Sequence, residues 1–451
     1  MKNGTVFGVL LALVLALVLA APGSAAWAQA APLDLQQAYQ LARQHDRTWR
    51  LAQGRLQESQ ELRPQAMAQL LPAVTASVQQ ASVRQELTNG GIVSPEQRYT
   101  SKSSVVQLRQ PLVRTALWRG LELAGARAEQ ARHTYLEEEQ QLGARVVATY
   151  FELLLAQDRL AVIQAQLSVV ETRLAAARAA LAAGQGVRND VDDALAEFDR
   201  LRAQVIQADR LRDVALRRLE LMTAAPVDRV RVLDLQAFNP RALPLPLLDE
   251  ALNKAKSANA RRLAQEQDLA AAQAALAQAR SGHHPTMDLV GQVSNSTGEN
   301  AFFATTQSRN ATLGIQLTVP LYNGGLVNSQ VRQASTRVEL AREQLELTTN
   351  ELSVQVAREH HAVTQAQALL EALRTALASA DQAVMSSRKG MQAGTRSLLD
   401  ALRAESDRSR VTLELAQARY DLLNAWVRLL ALMGEITPAR LDALNAMLAP
   451  L

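Results

Sequence analysis

Ala311-Thr312-Leu313-Gly314-Ile315-Gln316-Leu317-Thr318-Val319-Pro320-Leu321 is the stretch on which the fold turns. Ala311, Leu313, Ile315, Leu317, Val319 and Leu321 fall at every second position, and Thr312, Gly314, Gln316 and Thr318 stand between them. Side chains alternate across a strand, so this reads as a strand with one apolar and one polar face. A strand covered on both faces would not give a whole side to hydroxyls and amides. One side wants lipid or core; the other wants water. Val74, Ala76 and Val78 repeat the pattern against Thr75, Ser77 and Gln79, and Val106 and Leu108 repeat it against Gln107 and Arg109. Tyr99 is assigned to the polar loop between those two shorter strands.

Two strand pairs give four strands, too few to close a barrel, because membrane-spanning barrels begin at about eight. An open sheet cannot sit in a bilayer, where its edge N–H and C=O groups would find no partners. If these strands enter a membrane, several chains must share one barrel. Two chains would make eight strands and three would make twelve.

The strand pairs belong to a long-range duplication. Arg50-Leu51-Ala52-Gln53 returns as Arg262-Leu263-Ala264-Gln265, Pro72 as Pro285, and Gln110-Pro111-Leu112-Val113 as Val319-Pro320-Leu321-Tyr322. Ala183-Gly184 returns as Ala393-Gly394 and Leu221-Met222 as Leu432-Met433, each about 210 residues on. The expected division is residues 29–223 and 248–434 as two structural repeats, a Pro-rich joint at 224–247, and a C-terminal tail at 435–451. Helix formers fill each repeat. Leu35 to Leu71 reads as one helix closed by Pro72, and a second runs without proline from about Leu117 to Ala183, roughly 100 Å at 1.5 Å per residue. Gly184 and Gly186 break it, and Asn189 or Asp190 is placed to cap a third helix from Val191 to Met222. The apolar stripe Val191-Leu195-Phe198-Leu201-Val205 is narrow and suits a coiled-coil seam.

Composition agrees with long elements and few turns: 451 residues carry only 20 Gly and 14 Pro, and aromatics make up 4%. That argues against a doubly wound enzyme with a bulky core. Lysine plus arginine total 48 against 44 acids, so the charge is balanced and offers no nucleic-acid footprint. Cysteine is absent, which excludes disulfides, thiolate metal sites, a cysteine nucleophile and a lipidated N-terminal cysteine. Lys2, the apolar run Val6 to Ala21 and Ala26-Trp27-Ala28 have the order of a secretory signal peptide over 1–28, cleaved before Gln29. Export without cysteine suggests the periplasm or outer membrane of a Gram-negative cell. The adjacent pairs His283-His284 and His360-His361 diverge on a helix and make a poor metal site. Glu137-Glu138-Glu139 and Asp192-Asp193 read as solvated helix faces. No nucleophile elbow, phosphate loop or other catalytic constellation is present, and no cofactor is expected.

Val319-Pro320-Leu321-Tyr322-Asn323-Gly324-Gly325-Leu326-Val327-Asn328-Ser329-Gln330-Val331 resembles the second strand-to-helix junction of the TolC outer-membrane factor family. Ala393-Gly394-Thr395-Arg396-Ser397-Leu398-Leu399-Asp400 resembles that family's second inner-helix start, and Ala416-Gln417-Ala418-Arg419-Tyr420-Asp421-Leu422-Leu423-Asn424 the helix that follows. With the duplication, the resemblance covers essentially the whole mature chain. It implies a mainly α protein with membrane β: a homotrimer sharing a 12-stranded barrel in outer-membrane lipid, four strands per chain, above a long periplasmic α-helical coiled-coil barrel. The joint and the tail would form its equatorial region. It further implies a passive duct for type I protein secretion, small-molecule efflux or both. The implied partners are a periplasmic adaptor and an inner-membrane ABC transporter or RND-type proton antiporter. Without the lipidated cysteine, the chain looks more like the TolC branch than the lipoprotein drug-efflux branch, which inclines the reading toward type I protein secretion with efflux shared or secondary. The competing class is a periplasmic coiled-coil adaptor or scaffold without a pore, for which the alternating strands have no use.

By position, the resemblance puts Asp190 and Arg396 on the latch that closes the periplasmic tip, with Asp400 on an acidic constriction ring. Gly184, Gly186 and Gly394 are the helix breaks there, while Pro111, Pro320, Gly324 and Gly325 mark the strand–helix junctions. Two positions depart from the family pattern. Met391 replaces a latch tyrosine and cannot donate a hydrogen bond. Arg403 replaces a second constriction aspartate, so the ring would be roughly neutral and its block by multivalent cations weak. Ser397 with Asp400 also spells a capping box, which explains the same letters without a gate. Trp118 and Tyr322 are expected at the periplasmic membrane interface. Phe302 and Phe303 fall in the second outer loop.

Overall fold

The computed structural model describes residues 32–449 except 87, 94–95, 236–237 and 300–304. The signal peptide and the pair Phe302–Phe303 lie outside those residues. The described residues begin with three short helices, α1 (Leu35–His45), α2 (Arg47–Gln60) and α3 (Leu62–Ala68), where one helix is expected from sequence. Asp46 makes the first break. Its backbone leaves the helical path and its side chain accepts the Trp49 N–H at 2.7 Å, capping α2 and delivering the Trp49 indole to the core.

Strand β1 (Ala73–Gln85) follows Pro72 directly. A small hairpin, β2 (Thr88–Asn89) with β3 (Ile92–Val93), turns on Gly90 and Gly91, both at positive φ. Strand β4 (Gln97–Val113) starts earlier than expected, so Tyr99 belongs to the strand and not to the loop. It also ends later: Pro111 lies inside it at a register shift against β5. The missing proline N–H costs nothing there, because pairing with β1 has already ended at Arg109. The long helices α4 (Thr115–Ala182) and α5 (Arg188–Thr223) complete the first copy.

The connecting stretch carries one 3-10 turn at Pro240–Ala242 before α6 (Leu248–Ala258) and α7 (Ala260–Arg280). Strands β5 (Thr286–Glu299) and β6 (Thr305–Thr318), helices α8 (Leu326–Gln392) and α9 (Leu398–Leu432), and the terminal α10 (Pro438–Asn445) follow. β6 stops at Thr318, so Val319 and Leu321 continue the alternation in sequence but lie past the strand. Among the described residues, no helix is long and apolar enough to cross a membrane.

The four long strands form one antiparallel sheet in the order β1-β4-β5-β6, with β1 and β6 at its open edges. Register decides the faces. Val74 pairs with Leu108, Leu108 with Gly291 and Gly291 with Leu313, so the apolar sets of all four strands fall on one side. Thr75, Gln107, Gln292 and Thr312 line up in the same way on the other. The apolar side is bare in the single chain: Val78 is 85% and Leu313 74% exposed. A contiguous apolar surface of this kind marks a face meant for lipid or protein.

The helices pack by sevens. Buried positions recur at Ala194, Leu201, Ala208 and Ala215 on α5, at Val356, Val363 and Leu370 on α8, and at Leu402, Ser409, Ala416, Leu423 and Leu430 on α9. A strict seven-residue repeat is the signature of a left-handed coiled coil. On α5 the seam centres on Ala194 rather than Leu195, and its small residues let the helices approach closely.

The largest core lies where the connecting stretch and the C-terminus wrap the helices, and it includes Trp49, Tyr150, Phe151, Phe238, Trp426 and Leu441. Proline keeps a carbonyl but no N–H, so a Pro-rich stretch needs donors from elsewhere. They come from the long helices: Gln367 Nε2 donates to Pro240 O at 2.9 Å, Trp426 Nε1 to Pro244 O at 3.0 Å, and the His360 ring lies 3.0 Å from Pro246 O. The Tyr150 hydroxyl donates to the carbonyl of Arg231 at 2.8 Å, with that of Leu33 at 3.0 Å. Short bridges tie Leu33 to Val230 and Leu233 to Leu448, which joins both ends of the described residues to the connecting stretch.

Candidate functional site

Two helical hairpins, α4–α5 and α8–α9, end at the same pole of the molecule in turns that superimpose bond for bond at an offset of 210 residues. In the first, Gly184 takes φ +70°, Gln185 N–H donates to Ala180 O at 2.9 Å and Gly186 N–H to the same carbonyl at 3.1 Å. In the second, Gly394 takes φ +72°, and the amides of Thr395 and Arg396 donate to Gly390 O at 2.8 and 3.2 Å. Both are glycine C-caps of the Schellman kind, which satisfy the last carbonyls of a helix while reversing the chain.

The turns differ in where their second glycine sits. Gly186 and Arg396 are equivalent, and so are Ala180 and Gly390. A Cβ on Gly186 would stand 2.9 Å from the Leu181 nitrogen and 3.1 Å from Ala180 Cβ. At the second turn that place holds arginine, and Gly390 is bare: a Cβ there would meet the Arg396 stem at 3.0–3.2 Å. Gly390 therefore lets the Arg396 side chain fold back along α8, where its guanidinium donates to the buried Ser387 hydroxyl at 2.8 Å. Gly186→Ala is expected to cost the first turn about 1–3 kcal/mol through overpacking. Limited proteolysis within 183–187 should then quicken; equal cleavage of Gly186→Ala and wild type would sink this account of the turn.

The starts of α5 and α9 are equivalent too, and here the chemistry separates the two aspartates. Ser397 caps α9: its hydroxyl accepts the Asp400 N–H at 3.1 Å and donates to the Asp400 carboxylate at 2.8 Å, which also accepts the Ser397 N–H at 3.0 Å. These bonds hold the Asp400 carboxyl below the usual aspartate range, helped by the positive charges of Arg396 and Arg403. At the first hairpin α5 begins at Arg188, earlier than the expected Val191, and its N-cap is Val187. Asn189 and Asp190 thus lie inside the first turn instead of capping it. Valine offers no oxygen, so Asp190 lacks the capping partner that engages Asp400 and adds only its charge to the helix dipole. Met391 and Arg403 are exposed beside the second turn.

One cluster at this end carries no periodic signal in the sequence. Glu405 on α9, with its side chain 7% exposed, accepts Arg388 of α8 at 2.5 and 3.1 Å and Arg173 of α4 at 3.3 Å. It joins the two hairpins across 232 residues of chain. Among the described residues no group of three or more His, Asp or Glu could hold a metal ion.

At the other pole the sheet meets the helices. Arg114 ends the first strand pair as the N-cap of α4, and Gly325, at φ +79°, caps α8 after Gly324 at φ +57°. Pro320 lies in the link between β6 and α8. Trp118 in the first turn of α4 and Tyr322 before α8 are 55% and 86% exposed at this level.

The arrangement is a one-sided sheet on a shaft of heptad-packed helices about 100 Å long. It matches a known family: the outer membrane efflux proteins, over residues 38–225 and 251–435. The chain belongs to that family. As a family member it is an outer-membrane duct for secretion or efflux, its helices forming the periplasmic tunnel. Protease secretion protein PrtF of Dickeya chrysanthemi is 28% identical to this efflux-family channel, covering 94% of this chain and 92% of its own length. Alkaline protease secretion protein AprF of Pseudomonas aeruginosa is 29% identical over 92% and 87%. Outer membrane protein TolC of Escherichia coli is 29% identical over 76% and 71%. Among solved structures, the Campylobacter jejuni CmeC outer membrane channel superimposes with a TM-score of 0.78, covering 94% of both chains at 14% identity. The open-state Neisseria gonorrhoeae MtrE outer membrane channel gives 0.75, covering 89% of both at 21%. Resemblance to the TolC-like channel-tunnels, expected from the motifs, is thus met by sequence and fold alike.

Proposed function

We propose that three copies of this chain form the outer-membrane duct of a type I protein secretion system. The near full-length likeness to two relatives named for protease secretion carries this reading. Each copy supplies four strands, and β1 of one chain pairs with β6 of the next, giving the two open sheet edges the partners a bilayer demands. The repeats 29–223 and 248–434 then form equivalent sectors of the tunnel, while 224–247 and 435–451 belt its equator. Trp118 and Tyr322 lie at the periplasmic membrane interface, as exposed aromatics at that level should. A periplasmic adaptor docks on the helical tip and links it to an inner-membrane ABC transporter that supplies the energy.

The tip is the gate. Asp190, free of a capping role, accepts Arg396 from a neighbouring chain, while Asp400 and Arg403 ring the constriction with nearly balanced charge. An exposed ion pair contributes only about 0–1 kcal/mol, so the closed state rests chiefly on coiled-coil packing and the pair acts as a catch. In a planar bilayer, single channels of the purified protein should show small, stable openings that grow in Arg396→Ala. Unchanged openings would remove the latch and leave the duct standing.

The cargo is tested in cells. A host with a type I protease exporter but no outer-membrane component of its own should regain extracellular protease when this chain is supplied. Restored tolerance to dyes and antibiotics, with protease still trapped in the cell, would assign the chain to small-molecule efflux instead.

A further inference from the structure

The polar side of the sheet is almost uncharged. Register assigns to it the odd-numbered residues of β1 and β4 and the even-numbered residues of β5 and β6. Across the described strand residues these are Ser, Thr, Gln, Asn, Gly, Ala, Val, Pro and Tyr, with two exceptions at the periplasmic base: Arg109 and Asp288. The other strand cations, such as Lys102 and Arg309, fall on the opposite side, beyond the apolar band.

Arg109 and Asp288 do not cancel, because Arg114 shares the same carboxylate. Arg109 donates to Asp288 at 2.8 and 3.2 Å, and Arg114 donates to its two oxygens at 2.9 Å each. The Asp288 side chain is 5% exposed, while that of Arg109 is 51% exposed. Each chain therefore presents two guanidiniums against one buried carboxylate, one surplus positive charge, with the more accessible cation turned toward the polar side. Guanidiniums stay charged at every working pH, so the surplus does not titrate.

We propose that Arg109, Arg114 and Asp288 build an electropositive collar at the periplasmic base of the barrel, which draws anions into the duct and disfavours cations there. The collar rests on the shared-barrel reading, since only in a closed barrel does the polar side become a lumen. Three chains place three surplus charges around one ring. Screening at 0.1 M salt acts over about 10 Å, so a small anion crossing the ring stays within reach of them. Low-dielectric barrel walls focus the field further. Asp288 is the positioning residue: it holds both guanidiniums in one plane of the duct, and Arg109 is the one that meets the solute.

The test uses purified full-length channel in a planar bilayer, with inorganic tripolyphosphate added on the barrel side. Wild type should show voltage-dependent block. Arg109→Gln keeps the Asp288–Arg114 pair and brings the net charge of each cluster to zero; it should weaken the block at least about tenfold. Arg109→Lys should retain the block and Asp288→Asn should tighten it. Open wild-type channels that ignore tripolyphosphate, or equal block in wild type and Arg109→Gln, would overturn the collar. Folded protein that conducts no current at all would overturn the shared barrel, and the collar with it.

Discussion

Glu405→Gln is expected to loosen the periplasmic tip and enlarge the channel's resting openings. The carboxylate sits between Arg388 and Arg173, and the side chain of Arg173 is itself only 12% exposed. Arg173 Nη1 already lacks a hydrogen-bond partner, so neutralising Glu405 would leave two like charges facing each other around an unsatisfied group. Breaking a buried ion pair from one side costs about 3–5 kcal/mol; Arg388 is half exposed, which places the cost nearer the lower end, about 3 kcal/mol per chain. Those interactions tie α4 to the α8–α9 hairpin, so their loss should be felt as separation of the hairpins. Conductance is the direct measurement, with thermal unfolding beside it. Glu414→Gln is the control, because Glu414 only pairs with exposed Arg410 one turn away and should change neither. Equal conductance and equal melting of Glu405→Gln and wild type would show that the triad does not tie the hairpins.

Trp426→Ala should damage assembly more than any single change at the tip. The indole is 1% exposed in the largest core and donates to Pro244 O at 3.0 Å. Truncating a buried tryptophan costs about 3–5 kcal/mol. The orphaned carbonyl adds about 1–3 kcal/mol if water cannot reach it. Trp426→Phe separates the two parts by keeping most of the packing and losing only the donor. Denaturant unfolding should rank wild type above Trp426→Phe and Trp426→Phe above Trp426→Ala, and the yield of assembled protein in outer-membrane fractions should fall in the same order. If phenylalanine and alanine prove equivalent, the hydrogen bond to the connecting stretch outweighs the packing.

Elements whose physics is periodic were legible from the chain alone. Two-residue alternation from Ala311 to Leu317 names a strand, and register then needs no more than the matching alternations in β1, β4 and β5. Seven-residue spacing names the shaft, and Phe198, Leu201 and Val205 of the expected stripe pack in the seam; Leu195 is displaced by buried Ala194, because small residues carry little hydrophobic weight. The Gly184 and Gly394 turns could be read because αL backbone favours glycine. What stayed hidden depends on single side chains meeting at a distance. Asp46 breaks a helix by capping the next one, and its neighbours Arg43, His45 and Arg47 give no sign of it. Glu405 looks like any helix-surface acid until Arg173 arrives from another hairpin. The polar side of the barrel could be read, but the sharing of Asp288 between Arg109 and Arg114 could not: a bulge near Pro111 brings the strand end and the helix start to one carboxylate.

The exchanged glycines at the two hairpin turns constrain how this chain can vary. Across each turn one of two facing positions is bare: Gly186 opposite Ala180, and Gly390 opposite Arg396. Placing an alanine at 390 while arginine stands at 396, or an arginine at 186 while alanine stands at 180, fills both at once. A form with glycine on both sides relieves the side-chain part of that crowding, but it has lost its arginine and is looser than either arrangement. Substitutions at the two positions are thus epistatic, and the order in which they accumulate is set by sterics before function has any say. With arginine at one turn and glycine at the other, the two halves of the duplicated chain are not interchangeable there.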